Sequence, residues 1–211
     1  MENLKIAFCY GFPSKVCGCK TVEESIELLD SYDIIIFGPT LEYCNHPDHS
    51  NTKTIIATLD KSNKKFYGYI NSVTIIDVIK KRIDSWQEMG VSGIFCDKFG
   101  YNYGTTREKQ NIILKYIHQK NLNAVVNAKN PDDVFGSLKN CLYNPQGKEN
   151  IIGSNDLYLK EIKDLSEITN SDWLDKILVY KQHFSTRIAY KLKKDTNEFT
   201  ENKISKIYYD S

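Results

Sequence analysis

The sequence predicts an α/β protein of the (β/α)8 TIM-barrel class, with an eighth strand that is either abbreviated or missing. Short apolar runs alternate with amphipathic helical segments, which requires parallel strands because each helix returns the chain to the same end of the sheet. The runs are centred near residues 7, 35, 68, 95, 124, 159 and 189, a repeat of about 30 residues that fits a barrel better than a doubly wound sheet. An eighth run on this repeat falls past residue 211, so either a short strand at 204–209 completes the barrel or the barrel is incomplete.

Two of the predicted strands end in polar residues that are candidates for a functional site. Gly90 ends a helix, residues 92–96 form the strand after it, and Asp97 follows at that strand's carboxyl end. Residues 122–126 form the next strand, with Asn127 at its end. Parallel α/β folds place their catalytic groups at this rim. From position alone, an Asp that merely caps the following loop is an equally good interpretation.

Helix starts are predicted from capping patterns. Thr105 and Glu108 match a capping box, and Asn121 can end the same helix in the left-handed conformation. Two further starts are predicted by the pairs Thr21 with Glu24 and Thr74 with Asp77.

The remaining elements are predicted from apolar runs and turn residues. Strands are expected at 5–10, 33–37, 65–70, 156–162 and 187–192. Residues 54–59 are expected to belong to a helix, 131–142 to contain a short helix and 173–180 to be helical, and 143–147 is expected to be a loop. The strand over 156–162 places Glu161 near its carboxyl end. The basic run 80–82 is interpreted as a solvated helix edge.

Composition predicts one domain over residues 1–211 and excludes several partners. The 28 Lys and Arg nearly balance the 27 Asp and Glu, so no overall field attracts nucleic acid or an acidic membrane. No stretch approaches the ~20 apolar residues of a membrane span. No signal peptide is recognised, which predicts cytoplasmic synthesis. No glycine-rich phosphate loop follows any strand, so no nucleotide cofactor is expected.

Two segments are weak candidates for a metal site. The C-x-C pair at 17 and 19 has no second pair at a zinc-like spacing. The segment 44–49 carries Cys, Asp and two His, but its HPDH sequence is more typical of a turn fixed by Pro47. We therefore expect neither a metal nor another cofactor.

Several segments, in matching order over roughly residues 5–190, resemble one known family. They are HPDHSNTKTII, FYGYI, IKKRIDSWQEMGVSGIFCDKFGYNYGTTREKQN, VVNAKNPDDVF, and YNP followed by GSNDLYLKE. The most specific is G-[IV]-F-x-D followed by G-[YF]-x-[YF]-G-x-T-R. These segments resemble the spherulin-4-like, glycoside-hydrolase-like barrels related to endo-alpha-1,4-polygalactosaminidases. The resemblance implies a barrel that hydrolyses, or at least binds, an amino-sugar-containing polysaccharide.

The resemblance also implies a catalytic pair. The family's strand-four aspartate and strand-six glutamate correspond to Asp97 and Glu161. Alternate barrel strands contribute side chains to the same layer, so these two strands can direct both carboxylates into one pocket. Glycoside cleavage needs one carboxyl group as the acid and another as nucleophile or base. We expect Glu161 to be the acid and Asp97 to be its charged partner.

Further strand-end groups are expected to bind the sugar through aromatic stacking and hydrogen bonds to hydroxyls. They are Tyr10, Tyr69, Tyr101, Tyr103 and Asn127. Ordinary packing at the rim is the alternative interpretation for these residues.

Two departures from the family pattern weaken the expectation of activity. The family often carries acids where this chain has Lys98 and Asn102. Lys98 beside Asp97 favours a charged carboxylate, which suits a nucleophile and not a general acid. The alternative function is a non-catalytic glycan-binding or structural module of a phage or phage-tail-like particle.

An incomplete barrel would leave its first and last strands with unpaired edges. We expect a second subunit of a homo-oligomer, or a downstream domain, to cover them in preference to the tail. The reason is that the chain between 192 and 204 is barely long enough for a parallel crossover.

Overall fold

The computed structural model has the predicted barrel-like α/β fold. It describes residues 5–162, 175–176, 179–180, 187–192 and 207–209, with side chains described for 5–160, 175–176 and 179–180. The strands are β1 (Ile6–Cys9), β2 (Ile34–Phe37), β3 (Lys65–Asn71), β4 (Gly93–Asp97), β5 (Asn123–Asn127), β6 (Lys139–Cys141), β7 (Asn144–Gln146), β8 (Leu157–Ile162), β9 (Arg187–Leu192) and β10 (Ile207–Tyr209).

The main sheet has the strand order β1-β2-β3-β4-β5-β8-β9-β10. Every pair from β1 to β9 is parallel, and β10 is antiparallel to β9. The helices are α1 (Val22–Leu29), α2 (His49–Leu59), α3 (Ile76–Glu88), α4 (Arg107–Gln119) and α5 (Pro131–Phe135). Strands β6 and β7 form a separate antiparallel hairpin in the connection from β5 to β8. Over the described residues, the sheet therefore has seven parallel strands and fits an incomplete barrel.

Strand β10, near the end of the chain, corrects our expectation that a second subunit or a downstream domain covers the exposed edge of the last parallel strand, β9. Strand β10 pairs with β9 through the register Ile207 with Lys191 and Tyr209 with Ala189. The crossover length used against the tail applies only to parallel pairing, whereas an antiparallel strand needs no crossover. At the other edge, β1 pairs with β2 alone within the part of the chain that the structure describes.

The parallel strands are buried on both faces, which explains their almost continuous apolar sequences. One set of alternate residues forms an inner cluster: Ile6, Phe8, Ile34, Ile36, Tyr67, Phe95, Val125, Leu157 and Leu159. The other set packs against the helices in a larger outer cluster. The sheet therefore separates an inner core, on the face where the alternate strand residues meet, from an outer core that packs against the helices.

The predicted helix starts have mixed outcomes. Thr21 caps α1 by accepting a hydrogen bond of 3.2 Å from the Glu24 amide, as predicted. The prediction for α4 was wrong by one residue, because Thr106 is the cap and the Thr105 hydroxyl donates instead to the Lys98 carbonyl. The start predicted for α3 was also wrong, since that helix has no side-chain cap.

Other predicted boundaries differ at particular segments. Helix α2 contains the predicted 54–59 and begins at His49, and the short helix expected within 131–142 is α5. The loop predicted at 143–147 is largely the second strand of the hairpin. Of the helix predicted over 173–180, the described residues 175–176 and 179–180 are helical, and the rest lies outside the described residues.

A buried carboxylate connects two elements at the amino end of the sheet. Asp156 accepts hydrogen bonds from the amides of Ala124 and Gly153, both at 2.7 Å. Nε2 of His118, near the end of α4, lies 2.9 Å from the same carboxylate. The hydrogen bond with Asp156 raises the pKa of His118, with its charge adding to the rise and burial opposing it. At this end of a barrel, such a contact supports stability.

The raised pKa of His118 predicts a pH-dependent contribution to stability. A raised folded-state pKa stabilises the protein fully below the unfolded value of about 6.5, and the effect is lost as pH rises through the folded value. We expect His118→Gln to lower the melting temperature by roughly 1 to 3 °C at pH 5.5 and by less at pH 8.5. Lys115→Gln, exposed on the same helix, is the control, and calorimetry at both pH values is the measurement. An equal loss at both pH values would contradict the assignment.

Candidate active site at the carboxyl end of the sheet

Asp97 is held at the carboxyl end of β4 by side chains from both neighbouring strands. It lies two residues beyond Phe95, whose ring belongs to the inner cluster. Its Oδ2 accepts a hydrogen bond of 2.8 Å from the Tyr69 hydroxyl on β3. Its Oδ1 accepts one of 3.1 Å from Nδ2 of Asn127 on β5. Three of the residues expected at the site, Asp97, Tyr69 and Asn127, are therefore in direct contact.

The two donors give the Asp97 carboxylate a defined orientation. Among the residues whose side chains are described, each oxygen accepts one hydrogen bond from a neutral group, and a carboxylate oxygen can accept more than one. The main chain is fixed as well, since the Asp97 carbonyl accepts from the Ser72 amide at 2.9 Å. The half-buried carboxylate is thus held in place as a hydrogen-bond acceptor.

The environment of Tyr69 keeps its hydroxyl protonated. Burial raises the pKa of Tyr69 most, and the hydrogen bond with Asp97 and the Asp97 charge raise it further. The nearby Arg82 cation partly opposes this rise in the pKa. Tyr69 is therefore a permanent hydrogen-bond donor to Asp97 at physiological pH.

Aromatic side chains surround the Tyr69 ring. The Tyr10 ring meets it edge to face, with centroids 6.3 Å apart. The Phe95 ring lies 5.9 Å away on the inner side. Tyr10 and Tyr69 are both half-buried, so part of each remains accessible at the strand ends. Surfaces of this kind can stack on the apolar face of a sugar ring.

Tyr101 and Tyr103 lie in the turn after β4, and their described contacts are away from Asp97. Tyr101 is buried and stacks on Tyr143, with ring centroids 5.6 Å apart. Its hydroxyl accepts a hydrogen bond of 3.2 Å from Nε of Arg107. Tyr103 is 44% exposed. Tyr101 therefore supports the loop, whereas Tyr103 presents an aromatic surface beside it.

Arg107 holds that loop in place from the first turn of α4. Its guanidinium is buried and donates to the carbonyls of Val134 at 2.6 Å and Gly136 at 2.5 Å. Burial lowers the pKa of Arg107. These two carbonyls and the Tyr101 hydroxyl therefore accept the hydrogen bonds of the buried Arg107 guanidinium.

Lys98 and Asn102, which replace acids of the family that the sequence resembles, differ in setting. Lys98 follows Asp97 in the left-handed conformation with φ 55°, and its side chain is half-buried. This turn lets the next amide, that of Phe99, donate to the Asn127 carbonyl at 2.9 Å. Asn102 is exposed.

Glu161 lies on β8, the strand beside β5. Its backbone is in register with Lys191 of β9, two residues beyond Leu159 of the inner cluster. Its side chain lies outside the described residues, so its distance from Asp97 remains a prediction.

The weak metal candidates have ordinary structural partners. The two oxygens of Asp48 accept from the amide and hydroxyl of Ser14 and from Asn51. The His49 ring contacts the Leu41 carbonyl at 2.9 Å. Over the described ranges, no group of three or more His, Cys, Asp or Glu is placed to hold a metal ion. No helix in those ranges has the length and apolarity needed to cross a membrane.

Comparison with known proteins shows the fold. No family model matches the chain, and no curated protein matches it. The glycoside hydrolase domain of PelA from Pseudomonas aeruginosa superposes with a TM-score of 0.53 at 12% identity, over 89% of this chain and 83% of that one. The chain therefore shares the barrel-like fold of that domain. At this identity the likeness carries no assignment of substrate or catalytic residues, and the spherulin-4-like resemblance remains a prediction.

Two further enzymes superpose with TM-scores below 0.5. D-psicose 3-epimerase gives a TM-score of 0.49 at 12% identity, over 84% of this chain and 70% of that one. Type I 3-dehydroquinate dehydratase from Clostridium difficile gives a TM-score of 0.47 at 11% identity, over 90% of this chain and 76% of that one.

The side chains that support Tyr69 were missed by sequence reasoning. Arg82 was interpreted as a solvated helix edge, but its side chain is 11% exposed and pairs with Glu42. Trp86, on the same helix, donates from Nε1 to the Tyr69 carbonyl at 3.1 Å. The available signal was spacing, because Arg82 lies three residues after Ile79 and four before Trp86, both on the buried face of α3.

The contact between Tyr69 and Asp97 predicts a coupled titration. Asp97→Asn removes a charge that raises the pKa of Tyr69, so the phenol should ionise at lower pH than in the wild type. The measurement is the Cζ signal of ¹³C-labelled tyrosine followed by NMR, with Tyr69 assigned through Tyr69→Phe. Tyr180 is the internal control, because the pKa of its phenol is raised by burial and by Asp132. An unchanged Tyr69 titration would show that the hydrogen bond is absent in solution.

Proposed function

We propose that this protein is an endo-acting glycoside hydrolase that cleaves an amino-sugar-containing polysaccharide of a surface or matrix. The observation that carries the proposal is the Asp97 carboxylate, oriented by Tyr69 and Asn127 at the carboxyl end of a barrel sheet. In barrel enzymes this end is where catalytic groups lie. The PelA glycoside hydrolase domain, which shares the fold, supports the class of reaction.

Glu161 is the proposed partner of Asp97. Side chains of a strand alternate between faces, so Glu161 is expected on the face of Leu157 and Leu159, which belong to the inner cluster. Leu159 is in register with Asn127, whose side chain contacts Asp97. This register supports a position of Glu161 near Asp97 at the carboxyl end of the sheet, on the strand next to the one that carries Asn127.

The proposed reaction divides the work between the two carboxyl groups. Glu161 donates a proton to the glycosidic oxygen as the bond from that oxygen to the anomeric carbon breaks. In a retaining reaction Asp97 bonds to the anomeric carbon, and a water deprotonated by Glu161 later displaces it. In an inverting reaction Asp97 takes the proton of a water that attacks directly. The separation of the carboxyl groups, ~5 Å or ~6.5 to 9.5 Å, distinguishes the two courses.

The residues around Asp97 suit the binding of a sugar ring at the carboxyl end of the sheet. Tyr10 and Tyr69 offer aromatic surface beside the carboxylate, and Asn127 offers an amide. Tyr103, exposed in the loop after β4, is placed to contact a polymer farther from the cleaved bond. Tyr101 contributes by holding that loop. No metal or cofactor takes part in the proposed reaction.

A second candidate is a glycan-binding module without turnover. Lys98 and Asn102, at positions where the resembled family often has acids, are the observation that favours it. The comparisons give no support for a phage or tail-like particle. Binding and turnover must therefore be measured separately.

The proposal predicts a loss of turnover without a loss of binding. With a partly deacetylated galactosaminoglycan, we expect the wild type to generate new reducing ends. Asp97→Asn and Glu161→Gln should each reduce this rate on the order of 10³-fold while affinity in calorimetry changes little, because each removes a group that acts in the transition state.

Glu108→Gln is the control, since Glu108 is an exposed acid in the first turn of α4. Full turnover in both active-site variants would rule out the assigned roles. Glycan binding by a wild type that generates no reducing ends would establish the binding module instead.

A further inference from the structure

A buried ion pair lies behind the candidate site and is not needed for the proposed chemistry. Nε of Arg82, on α3, donates to Oε1 of Glu42 in the segment between β2 and α2. The Glu42 side chain has no exposed surface, and that of Arg82 is 11% exposed. The second carboxylate oxygen, Oε2, has no hydrogen-bond partner among the residues described. Buried ion pairs are often no more stabilising than apolar residues of similar volume, so stability alone does not explain this pair.

Arg82 also supports the backbone of Tyr69. Strand β2 ends at Phe37, opposite Gly68, so Tyr69 lies one residue beyond the last pair with β2. Nη2 of Arg82 donates to the Tyr69 carbonyl at 3.2 Å, and Trp86 donates to the same oxygen at 3.1 Å. Two side chains of α3 therefore satisfy a carbonyl that β2 is too short to reach.

The same guanidinium lies near the Tyr69 ring. Its central carbon is 6.0 Å from the Tyr69 ring centroid and 5.8 Å from that of Tyr43, distances typical of cation–π contacts. Tyr10 and Phe95 also contact the Tyr69 ring. Because the ring is held by these neighbours, its hydroxyl is directed to Oδ2 of Asp97.

We propose that Glu42 and Arg82 are positioning residues, which fix Tyr69 and through it the orientation of Asp97. Arg82 makes no direct contact with Asp97 in the described structure, so its effect passes through Tyr69. The catalytic consequence rests on the proposed glycoside hydrolase function, whereas the structural consequence for Asp97 does not. A carboxylate displaced by about 1 Å can lower turnover by as much as ~10²-fold without loss of binding.

The test uses Glu42→Gln, which keeps the shape of the side chain and removes the charge that holds Arg82. We expect kcat to fall on the order of 10-fold to 100-fold with KM nearly unchanged. By NMR, the side-chain carboxyl ¹³C signal of Asp97, assigned through Asp97→Asn, should move as it does in Tyr69→Phe. Glu88→Gln, an exposed acid on α3, is the matched control and should change neither quantity.

The double variant Glu42→Gln with Arg82→Met distinguishes positioning from stability. It leaves no uncompensated buried charge, so it should fold with a melting temperature closer to that of the wild type than either single variant has. Positioning predicts that kcat stays low and that the Asp97 signal stays displaced. If kcat and the Asp97 signal instead return to their wild-type values together with the melting temperature, the proposal is overturned and the pair is purely structural.

The NMR measurement also separates this proposal from the proposed function. If the wild type has no turnover, a displaced Asp97 signal in Glu42→Gln still supports positioning. A different outcome is that the wild type has turnover and the Asp97 signal moves in Tyr69→Phe but not in Glu42→Gln. In that case the positioning proposal is wrong and the hydrolase assignment stands.

Discussion

The parallel register of β3, β4 and β5 determines where the groups of the candidate site lie. Asn71 is in register with Asp97, and Phe95 with both Tyr69 and Val125. Side chains two residues apart on one strand share a face, so this register places Tyr69, Asp97 and Asn127 at the same end of the inner face. A shift of one residue in any strand would turn its polar group toward the helices.

The outer face of the sheet supports this end of the inner face. Gly68 allows Trp86 to lie against β3, since a Cβ at that position would be 2.1 Å from the indole. This approach lets the Trp86 Nε1 reach the Tyr69 carbonyl. The helix that buries the outer core therefore also carries the donors that fix the inner tyrosine.

Much of this arrangement could be predicted from local patterns, and the remainder depends on contacts between distant segments. The apolar runs and the acid after 92–96 were sufficient to predict the barrel and the position of Asp97. The pairing of Arg82 with Glu42, 40 residues apart, has no local signal. The direction of the tail strand has no local signal either, because the parallel strands before it favour a parallel crossover, whereas β10 is antiparallel to β9.

The central claim is that Asp97 and Glu161 face one sugar across the mouth of the barrel. A crystal structure of Glu161→Gln with a bound galactosamine oligosaccharide tests it most directly. The account predicts a sugar ring against Tyr10 and Tyr69, with its anomeric carbon next to Asp97 and residue 161 within ~10 Å of that carboxylate. An oligosaccharide bound elsewhere, or residue 161 directed to the opposite end of the sheet, would contradict the claim.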